Sequence, residues 1–501
     1  MKTVKSGEYF RVLPDSEVEY KDLRRKLMGW RQRKGDPWMI AEDNIVNRIV
    51  LNQDLQLHTN QIEYHIERAS SLKPYQIYDV ASMCMIQHCL NANPMGLGKT
   101  VETIKMLETI QAKSVCIVTP KIIRTQWVDQ IKNWWGRDAE IYERQARLEP
   151  EKIYIINYDK LRNDSILSKF KRFSWDCLVL DEVHKIKNRN SKQTVAVKAI
   201  PAKKRVALSG TPILRYVDDL WSILNFLDER YSGKSYWAFV DYFCDVEQTP
   251  WGNKIVGTTV DTYRQSVLRT MLKHLMIRQE SIQVAKGKTQ EVVRLPMTKP
   301  QRELYRKERQ LLLDQLPENC TIANGAVLTM RLRQTTSWPG LFLEDTPGPK
   351  FEWILEQCVN NPNSWFLVFT VFEQTAEALA KYLGTQGIRA VTITGKNKAQ
   401  TNELNKSYFL KGAARVLIGT IGAMGQGYDG LQTVCRTVIF IDRDWSPEIM
   451  NQAEDRLHRM GQESVVNVYY LECQGSFDQH VGRINVNKSE GIRRALESDE
   501  V

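Results

Sequence analysis

A glycine-rich segment that ends in lysine and threonine carries the clearest chemistry in the sequence. It reads Met95-Gly96-Leu97-Gly98-Lys99-Thr100, and an apolar-rich run over 101–110 follows it. Glycine permits tight turns that aim backbone N–H groups at an anion, and the N-terminus of a following helix adds a favourable dipole. The spacing predicts a phosphate-binding loop in which Lys99 reaches the β- and γ-phosphates and the Thr100 hydroxyl binds Mg²⁺.

A pair of carboxylates forms the second candidate feature. Asp181-Glu182-Val183-His184 follows the apolar run 177–180, which has the character of a buried strand. One carboxylate can hold Mg²⁺ through water while the other orients and deprotonates an attacking water molecule. We assign the metal ion to Asp181 and the base to Glu182. A solvated acidic loop is the alternative interpretation.

Two further segments are candidates for the same site. Gln76 lies upstream of the glycine-rich loop, and its amide can donate and accept hydrogen bonds at once, as recognition of adenine requires. By itself Gln76 would be a surface glutamine. Ser209-Gly210-Thr211 follows another apolar run, and its small hydroxyls could sense whether a γ-phosphate is present.

Short β-branched runs alternate with helical patterns along most of the chain. One set lies at 115–118, 153–156, 177–180 and 206–208, and another at 365–369, 390–393, 415–418, 436–441 and 465–471. Strands covered by helices on both faces have this character, and parallel sheets place ligands beyond the carboxyl ends of their strands. We therefore predict an α/β fold with two parallel sheets, and helices over 299–315 and 328–334.

The second set of runs has no phosphate loop, so we expect it to complete the first site across a cleft. The candidate residues lie in the block 452–462, which contains Gln452, Arg456 and Arg459. Two arginines three residues apart share a face if the block is helical, and guanidinium groups there would stabilise charge on a transferring phosphoryl group. An arginine-rich surface helix is the alternative.

Length and composition set the broad class. The chain has 501 residues, which favours two or three domains. Its nine cysteines lack paired spacing, so neither a zinc site nor a disulfide framework is indicated, and Cys84 and Cys89 are interpreted as core residues. No signal segment or membrane-length apolar run is found. We expect a soluble intracellular protein with no membrane partner, in the cytoplasm or nucleoid of a bacterial or viral system or in a eukaryotic nucleus.

Basic residues are in excess, with 70 Lys and Arg against 59 Asp and Glu and a net charge of +11. This balance favours a polyanionic partner without identifying it. The excess is concentrated around Trp30 in 21–34 and in 185–205, which contains no acidic residue. Nucleic-acid contacts and solvated faces are both open interpretations of these stretches.

Together these blocks resemble helicase superfamily two and, within it, the Swi/Snf-type DNA translocases. The resemblance covers residues 72–480. It rests on blocks in the family's order at 95–100, 181–184 with 186–188, 208–213 leading into 220–227, 332–334, 442–447 and 452–462.

The resemblance implies two RecA-like lobes with helical insertions near 216–278 and 299–346. ATP and Mg²⁺ would bind between the lobes, and double-stranded or forked DNA would lie across their tops. Carried over residue by residue, the DNA phosphate contacts are Lys121, Tyr158, Thr370 and Thr420, and Gly427 joins the nucleotide contacts. Such contacts follow the DNA backbone and read no base sequence.

Three departures from the family pattern matter. Asn93-Pro94 stands where the family usually has Asp-Glu, and the full phosphate-loop pattern has Gly at position 93. Asp429 stands where the family has Asn. No accessory histone-reading or RING module is recognisable, which favours a compact viral, bacterial or repair-type translocase over a chromatin remodeller.

We predict an N-terminal accessory region at 1–70, a first lobe at 71–290, a second lobe at 291–482 and a C-terminal tail at 483–501. The predicted function is ATP-dependent translocation on double-stranded DNA by a monomer that remodels protein–DNA complexes or branched DNA, with protein partners left open. A strand-separating helicase, an RNA-directed motor and a non-hydrolysing DNA-binding scaffold are the alternatives.

Overall fold

The computed structural model describes residues 1–6, 9–13, 16, 19, 22–23, 26–28, 31, 39–42, 44–51, 71–143, 146–249, 252–279, 287–315, 322–344, 346–424, 428, 430–459 and 462–496. The chain forms two compact units. One consists of Met1–Ser281 with Lys488–Val501, and the other of Ile282–Asn487.

The first unit begins with a small antiparallel sheet. It consists of β1 (Lys2–Ser6), β2 (Tyr9–Leu13) and β3 (Met39–Glu42), and the helix α1 (Ile45–Val50) follows. The buried Asn47 amide bonds both the N–H and the C=O of Met28, at 2.8 and 3.0 Å. Ile45 and Val46 pack in one core with Val267 and Met271, so this region is part of the first unit.

A seven-stranded parallel sheet forms the centre of the first unit. In spatial order its strands are β12 (Met276–Ile277), β4 (His88–Asn91), β9 (Ala202–Leu208), β8 (Trp175–Asp181), β5 (Val115–Thr119), β7 (Ile153–Asn157) and β6 (Ala139–Ile141). Strands β5 and β7 are buried at every position, because helices cover both faces of a parallel sheet.

The helices of the first unit fall into two groups. The sheet is accompanied by α2 (Pro74–Met85), α3 (Lys99–Thr109), α4 (Arg124–Trp135), α5 (Asp164–Arg172) and α6 (Lys192–Lys198). An insertion follows β9 and contains α7 (Asp218–Leu227), α8 (Glu229–Ser232), α9 (Tyr236–Phe243), the hairpin of β10 (Cys244–Thr249) and β11 (Gly252–Thr258), and α10 (Thr262–Lys273).

The second unit contains a six-stranded parallel sheet. In spatial order its strands are β13 (Lys288–Leu295), β18 (Val466–Cys473), β17 (Thr437–Phe440), β14 (Phe366–Thr370), β16 (Val416–Thr420) and β15 (Ala390–Ile393). Its helices are α11 (Lys299–Gln315), α12 (Ile322–Ser337), α13 (Pro349–Asn360), α14 (Glu373–Thr385), α15 (Ala399–Leu410), α16 (Ile421–Met424) and α17 (Pro447–Glu454). The last helix, α18 (Phe477–Leu496), begins in this unit.

The two sheets have the same strand order. Strand β13 takes the place of β4, β18 that of β9, β17 that of β8 and β14 that of β5. The glycine-rich loop follows β4, whereas Met297 and α11 follow β13. Two RecA-like parallel-sheet lobes with helical insertions and a small N-terminal sheet are therefore confirmed as the fold class.

The predicted strands of both sets are confirmed, as are the helices that begin at Lys99 and Lys299. Cys84 and Cys89 are buried in the core, as predicted. The strands β4, β6, β12 and β13 and the N-terminal sheet had no counterpart in the sequence prediction. None of the described helices is long and apolar enough to cross a membrane.

We expect Lys350→Met to destabilise the second unit. The Lys350 side chain is 1% exposed and donates to the Ile441 carbonyl at 2.7 Å and to Asp478 Oδ2 at 2.8 Å. Breaking a buried pair leaves a carboxylate without its ammonium partner and costs about 3 kcal/mol, which corresponds to a melting temperature lower by about 5–10 °C. Thermal unfolding of the full chain measures the shift.

Lys396→Met is the matched control, because the Lys396–Glu377 pair is more than half exposed and 3.8 Å long. Its melting temperature should stay within about 2 °C of wild type, since exposed pairs contribute little. Equal shifts for the two variants would contradict a stabilising role for the buried pair.

Candidate functional site

Parallel registers bring the predicted site residues to one edge of the first sheet. Leu208 pairs with both Asn91 and Asp181, and Thr119 pairs with Asn157. The glycine-rich loop after β4, the acidic segment after β8 and the Ser-Gly-Thr segment after β9 therefore leave the sheet side by side. This edge is where α/β sheets bind ligands.

The glycine-rich loop turns through left-handed backbone conformations. Gly96 has φ 84° and Gly98 has φ 95°, and Gly98 caps the N-terminus of α3. Lys99 Nζ donates to the carbonyls of Asn93 and Pro94, at 2.7 and 3.1 Å. The Lys99 side chain therefore lies over Asn93 and Pro94, the residues at which the loop begins. The N-terminus of α3 lies at the other end of the loop.

Gln76 lies directly against this loop. Its Nε2 donates to the Leu97 carbonyl at 3.0 Å and its Oε1 accepts from the Lys73 N–H at 3.0 Å. A Cβ at Gly98 would lie 2.5 Å from that Nε2 and would displace the Gln76 amide, and the φ of 95° favours glycine there independently. Binding of adenine by Gln76 stays a prediction.

Asp181 is held by donors from three other elements. Its Oδ2 accepts from Thr119 Oγ1 at 3.0 Å and Trp127 Nε1 at 2.8 Å, while the Tyr158 hydroxyl donates to its main-chain carbonyl at 2.7 Å. Burial, with the Glu182 charge beside it, raises the pKa of Asp181 to about 6. Its Oδ1 accepts one bond, from the Glu182 N–H at 2.9 Å. This arrangement suits a carboxylate that holds a metal ion through water.

Glu182 has a strained backbone. Its φ is 52°, in the left-handed region that non-glycine residues rarely adopt. His184 Nδ1 lies 3.3 Å from Glu182 Oε2. Glu182 thus follows the end of β8 directly, and its role as general base stays a prediction.

Gly210 brings the segment after β9 against the loop. A Cβ at this position would lie 3.3 Å from Lys99 Nζ and 3.0 Å from Met95 Cγ. The Ser209 N–H donates to the Asn91 carbonyl at 3.1 Å, and its Oγ accepts from the Thr211 N–H at 3.2 Å. The segment predicted to sense phosphate is thus in direct contact with the predicted phosphate-binding lysine.

A buried polar cluster beneath the loop escaped the sequence analysis. Asp79, Asn91, Asn93 and Glu102 are each 0% exposed, and the Asn93 amide donates to Asp79 Oδ2 at 2.8 Å and Glu102 Oε2 at 3.1 Å. Burial raises the pKa of Asp79, and that of Glu102 to about 7. The signal available in the sequence was the pair of asparagines flanking Ala92.

The four predicted DNA contacts have different exposures. Lys121 is exposed, as a phosphate contact requires. Tyr158 is 2% exposed with its hydroxyl on the Asp181 carbonyl, and Thr370 is 0% exposed with its hydroxyl on Asp442 Oδ2 at 2.6 Å. Thr420 is 7% exposed. The hydroxyls of Tyr158 and Thr370 therefore bond to Asp181 and Asp442 at the carboxyl ends of the strands, and contact of these residues with DNA stays a prediction.

The basic run over 185–205 is partly internal. Lys198 Nζ donates to Asn225 Oδ1 at 2.9 Å, Lys204 is 7% exposed, and Arg205 Nη1 donates to the Phe226 carbonyl at 2.7 Å. These three cations bond to the protein itself, so the run as a whole is not a continuous path for DNA. Lys187 and Lys192 are among its exposed members.

The expectation that Arg456 and Arg459 share a helical face was wrong. Helix α17 ends at Glu454, and the arginines lie in the turns that follow. The last residue of the helix, Glu454, is 0% exposed and bonds to Lys288 Nζ at 2.6 Å and to the Tyr470 hydroxyl. Arg456 is 5% exposed and Arg459 is half-buried, while Gln452 lies within α17 and is 5% exposed.

Some sequence predictions fall outside the described residues. They are the nucleotide contact Gly427, the departure at Asp429, and most of the basic cluster around Trp30.

Comparison with known families decides the classification. The SNF2-related domain matches residues 31–341, and the helicase conserved C-terminal domain matches residues 349–461. The chain belongs to the SNF2-related family. The resemblance drawn from the motifs is confirmed, and the first match extends from the first unit into the second.

Several relatives are similar over about four fifths of the chain. The probable chromatin-remodeling complex ATPase chain of Oryza sativa subsp. japonica is 24% identical over 78% of this chain and 37% of its own length. The putative ATP-dependent helicase/translocase YwqA of Bacillus subtilis (strain 168) is 25% identical over 82% and 47%. The human SWI/SNF-related matrix-associated actin-dependent regulator of chromatin subfamily A member 1 is 25% identical over 78% and 40%. The chain spans less than half the length of these relatives.

A solved structure is also similar. The Sulfolobus solfataricus SWI2/SNF2 ATPase core in complex with dsDNA is 22% identical, with a TM-score of 0.41 over 87% of this chain and 99% of that chain.

We expect Gly210→Ala to weaken nucleotide binding. The added methyl would press on Met95 and reach Lys99 Nζ at 3.3 Å, so the lysine must shift from its position over the loop. The lysine would move by much less than the roughly 1 Å that can cost about 10²-fold, so we expect a loss of affinity of a few-fold. Titration with a fluorescent ATP analogue measures the affinity. Gly257→Ala is the control, because its Cβ would meet nothing closer than 3.4 Å, and equal affinities for the two variants would contradict the prediction.

Proposed function

We propose that this protein is an ATP-hydrolysing motor that moves on double-stranded or forked DNA. One observation carries the proposal: Lys99, Asp181 and Glu182 lie at the same edge of the first sheet, with Gly210 seated against the lysine. Membership of the SNF2-related family and the names of relatives, which include an ATPase chain and a helicase/translocase, support it.

The first unit would bind the nucleotide phosphates. The N–H groups at the start of α3 and the Lys99 ammonium address the β- and γ-phosphates. Thr100 and Asp181 would hold Mg²⁺, which neutralises phosphate charge when bound. The donors on Asp181 Oδ2 keep this carboxylate oriented toward the loop. Gln76 would sit at the adenine end of the site.

Glu182 would act as the general base. The two residues are adjacent, and Glu182 has a left-handed backbone where Asp181 ends β8. Neighbouring carboxylates with different partners can take different roles, because environment sets their proton affinities. Glu182 would orient the attacking water and accept its proton, while His184 at 3.3 Å limits the movement of the carboxylate.

Arg456 and Arg459 would supply positive charge to the transferring phosphoryl group. This assignment rests on the match of the block 452–462 to the family pattern. Guanidinium groups suit the role because they stay charged and bond phosphate oxygens through two donors. DNA would be followed along its phosphates, with Lys121 as the exposed candidate among the predicted contacts.

Steady-state ATP hydrolysis tests the proposal. We expect duplex or forked DNA to stimulate the wild-type chain more than single-stranded DNA or RNA does. Glu182→Gln should lower the stimulated rate by about 10²-fold or more, because the amide cannot accept the proton. The exposed Glu149→Gln is the matched control and should leave the rate unchanged.

The pattern of stimulation separates the alternatives. Stronger stimulation by single strands, with displacement of a labelled strand, would favour a strand-separating helicase. Stronger stimulation by RNA would favour an RNA-directed motor. A wild-type chain that binds DNA without hydrolysing ATP would overturn the proposal in favour of a passive scaffold.

We expect Arg459→Ala to spare ATP binding and to lower kcat by about 10³-fold, as loss of an arginine finger does. Nucleotide titration and hydrolysis rates separate the two effects. Arg436→Ala, at an exposed arginine of the same unit, is the control. A normal kcat for Arg459→Ala would remove this residue from the proposed role.

A further inference from the structure

Asn93 stands at the centre of a buried hydrogen-bond network below the phosphate loop. It is 0% exposed, and every polar group it carries has a partner. Its Nδ2 donates to Asp79 at 2.8 Å and Glu102 at 3.1 Å, and its Oδ1 accepts from the Gln279 N–H at 2.9 Å. Its own N–H donates to Asn91 Oδ1 at 3.1 Å. An asparagine amide can satisfy two acceptors and a donor at once.

The same residue contacts the predicted phosphate-binding lysine. The Asn93 main-chain carbonyl accepts from Lys99 Nζ at 2.7 Å. If Lys99 moves toward a phosphate, its bond to the Asn93 carbonyl changes. The movement therefore acts on the backbone of Asn93, the residue whose side chain holds the network together. Interiors packed this closely transmit small shifts instead of absorbing them.

The network also holds the segment that leads out of the first unit. Strand β12 pairs with β4, with Ile277 opposite Asn91. Arg278 Nη1 donates to the Ala92 carbonyl at 3.1 Å, and Gln279 Nε2 donates to Asp79 Oδ1 at 2.6 Å. The chain passes into the second unit just beyond this point, at residue 282. The residues 276–279, here called the exit segment, are thus bonded to the entry of the phosphate loop.

An aspartate at position 93 could not make these contacts. Asp79 and Glu102 are both acceptors when ionised, so a third carboxylate would offer them no donor and would add like-charge repulsion. Two buried carboxylates bridged by one amide explain why this chain has Asn at a position where the family pattern usually has Asp.

We propose that Asn93 is a positioning residue that couples the phosphate loop to the exit segment, with Gln279 as its partner there. The proposal rests on the proposed ATPase function. It adds a route by which the presence of nucleotide at the phosphate loop affects the exit segment. The coupling makes the stimulation of hydrolysis by DNA depend on the Asn93–Asp79–Gln279 bonds. A network that only satisfied buried groups would affect stability alone.

Three variants of the full chain test the proposal, with basal and duplex-stimulated ATP hydrolysis and the melting temperature measured for each. Gln279→Ala removes the side-chain bond from Gln279 to Asp79, and neither residue is one of the proposed catalytic residues. We expect basal hydrolysis within about twofold of wild type and a ratio of stimulated to basal rate at least about fivefold lower, the usual lower range of a coupling effect. Gln386→Ala, at an exposed glutamine of the second unit, should leave the ratio unchanged.

Asn93→Asp should lower the ratio by about tenfold or more, and adding Asp79→Asn should restore part of it, because the exchanged pair again joins one donor to one acceptor while position 93 still offers Glu102 no donor. Recovery of the ratio in the double variant would show that the loss came from the bond between positions 93 and 79 and not from general damage to the loop. If Asn93→Asp fails to fold, Gln279→Ala still gives a decisive ratio.

Failure of the coupling proposal can be distinguished from failure of the proposed ATPase function. Wild-type hydrolysis that DNA stimulates, together with wild-type ratios for Gln279→Ala and Asn93→Asp, would overturn the coupling and leave the ATPase function intact. Lower melting temperatures with unchanged ratios would likewise overturn it and assign the network to stability. Absence of hydrolysis by the wild-type chain would overturn both.

Discussion

The parallel register of the first sheet is the constraint on which the whole site depends. Because β4, β8 and β9 end at the same level, the loop, the acidic pair and the Ser-Gly-Thr segment leave the sheet together. A shift of one residue in any of these strands would turn its side chains to the opposite face. The site therefore depends on the burial that sets the register, and strands buried on both faces specify it strongly because every position contributes.

Glu182, where chemistry is proposed, is one of three non-glycine residues with positive φ in the described part of the chain, together with Gln111 and Glu151. Gly96, Gly98 and Glu182 all have left-handed backbones, and Glu182 does so without the freedom of glycine. Such a residue costs of order 1–3 kcal/mol and persists when its surroundings over-determine it. Asp181 Oδ1 holds the Glu182 N–H, while Thr119, Trp127 and Tyr158 hold Asp181. The three residues that brace the acid pair come from separate segments, so the turn is stabilised by the sheet as a whole.

Much of the fold could be predicted from the sequence, and what could not has a physical reason. Fully buried strands read as continuous apolar runs, so β5, β7 and β8 were found. Strand β4 was missed because it begins with His88 and ends with Asn91, polar residues whose partners lie elsewhere in the chain. The end of α17 at Glu454 was also missed. No local pattern contains those long-range contacts. The glycine-rich loop and the acidic pair were predictable because their chemistry lies in adjacent residues.

The two sheets place a threonine and an aspartate in the same relation, and this likeness explains why the Thr370 side chain is internal. In the first sheet Thr119 at the end of β5 donates to Asp181 at the end of β8, at 3.0 Å; in the second, Thr370 at the end of β14 donates to Asp442 just after β17, at 2.6 Å. Since β14 and β17 occupy the places of β5 and β8, one backbone arrangement serves both units. What differs is the next residue: Glu182 follows one aspartate, and Arg443, ion-paired to Glu472 at 3.0 Å, follows the other. The shared pair therefore braces the strand ends in both units, and in the first unit Asp181 of that pair and Glu182 beside it carry the proposed chemistry.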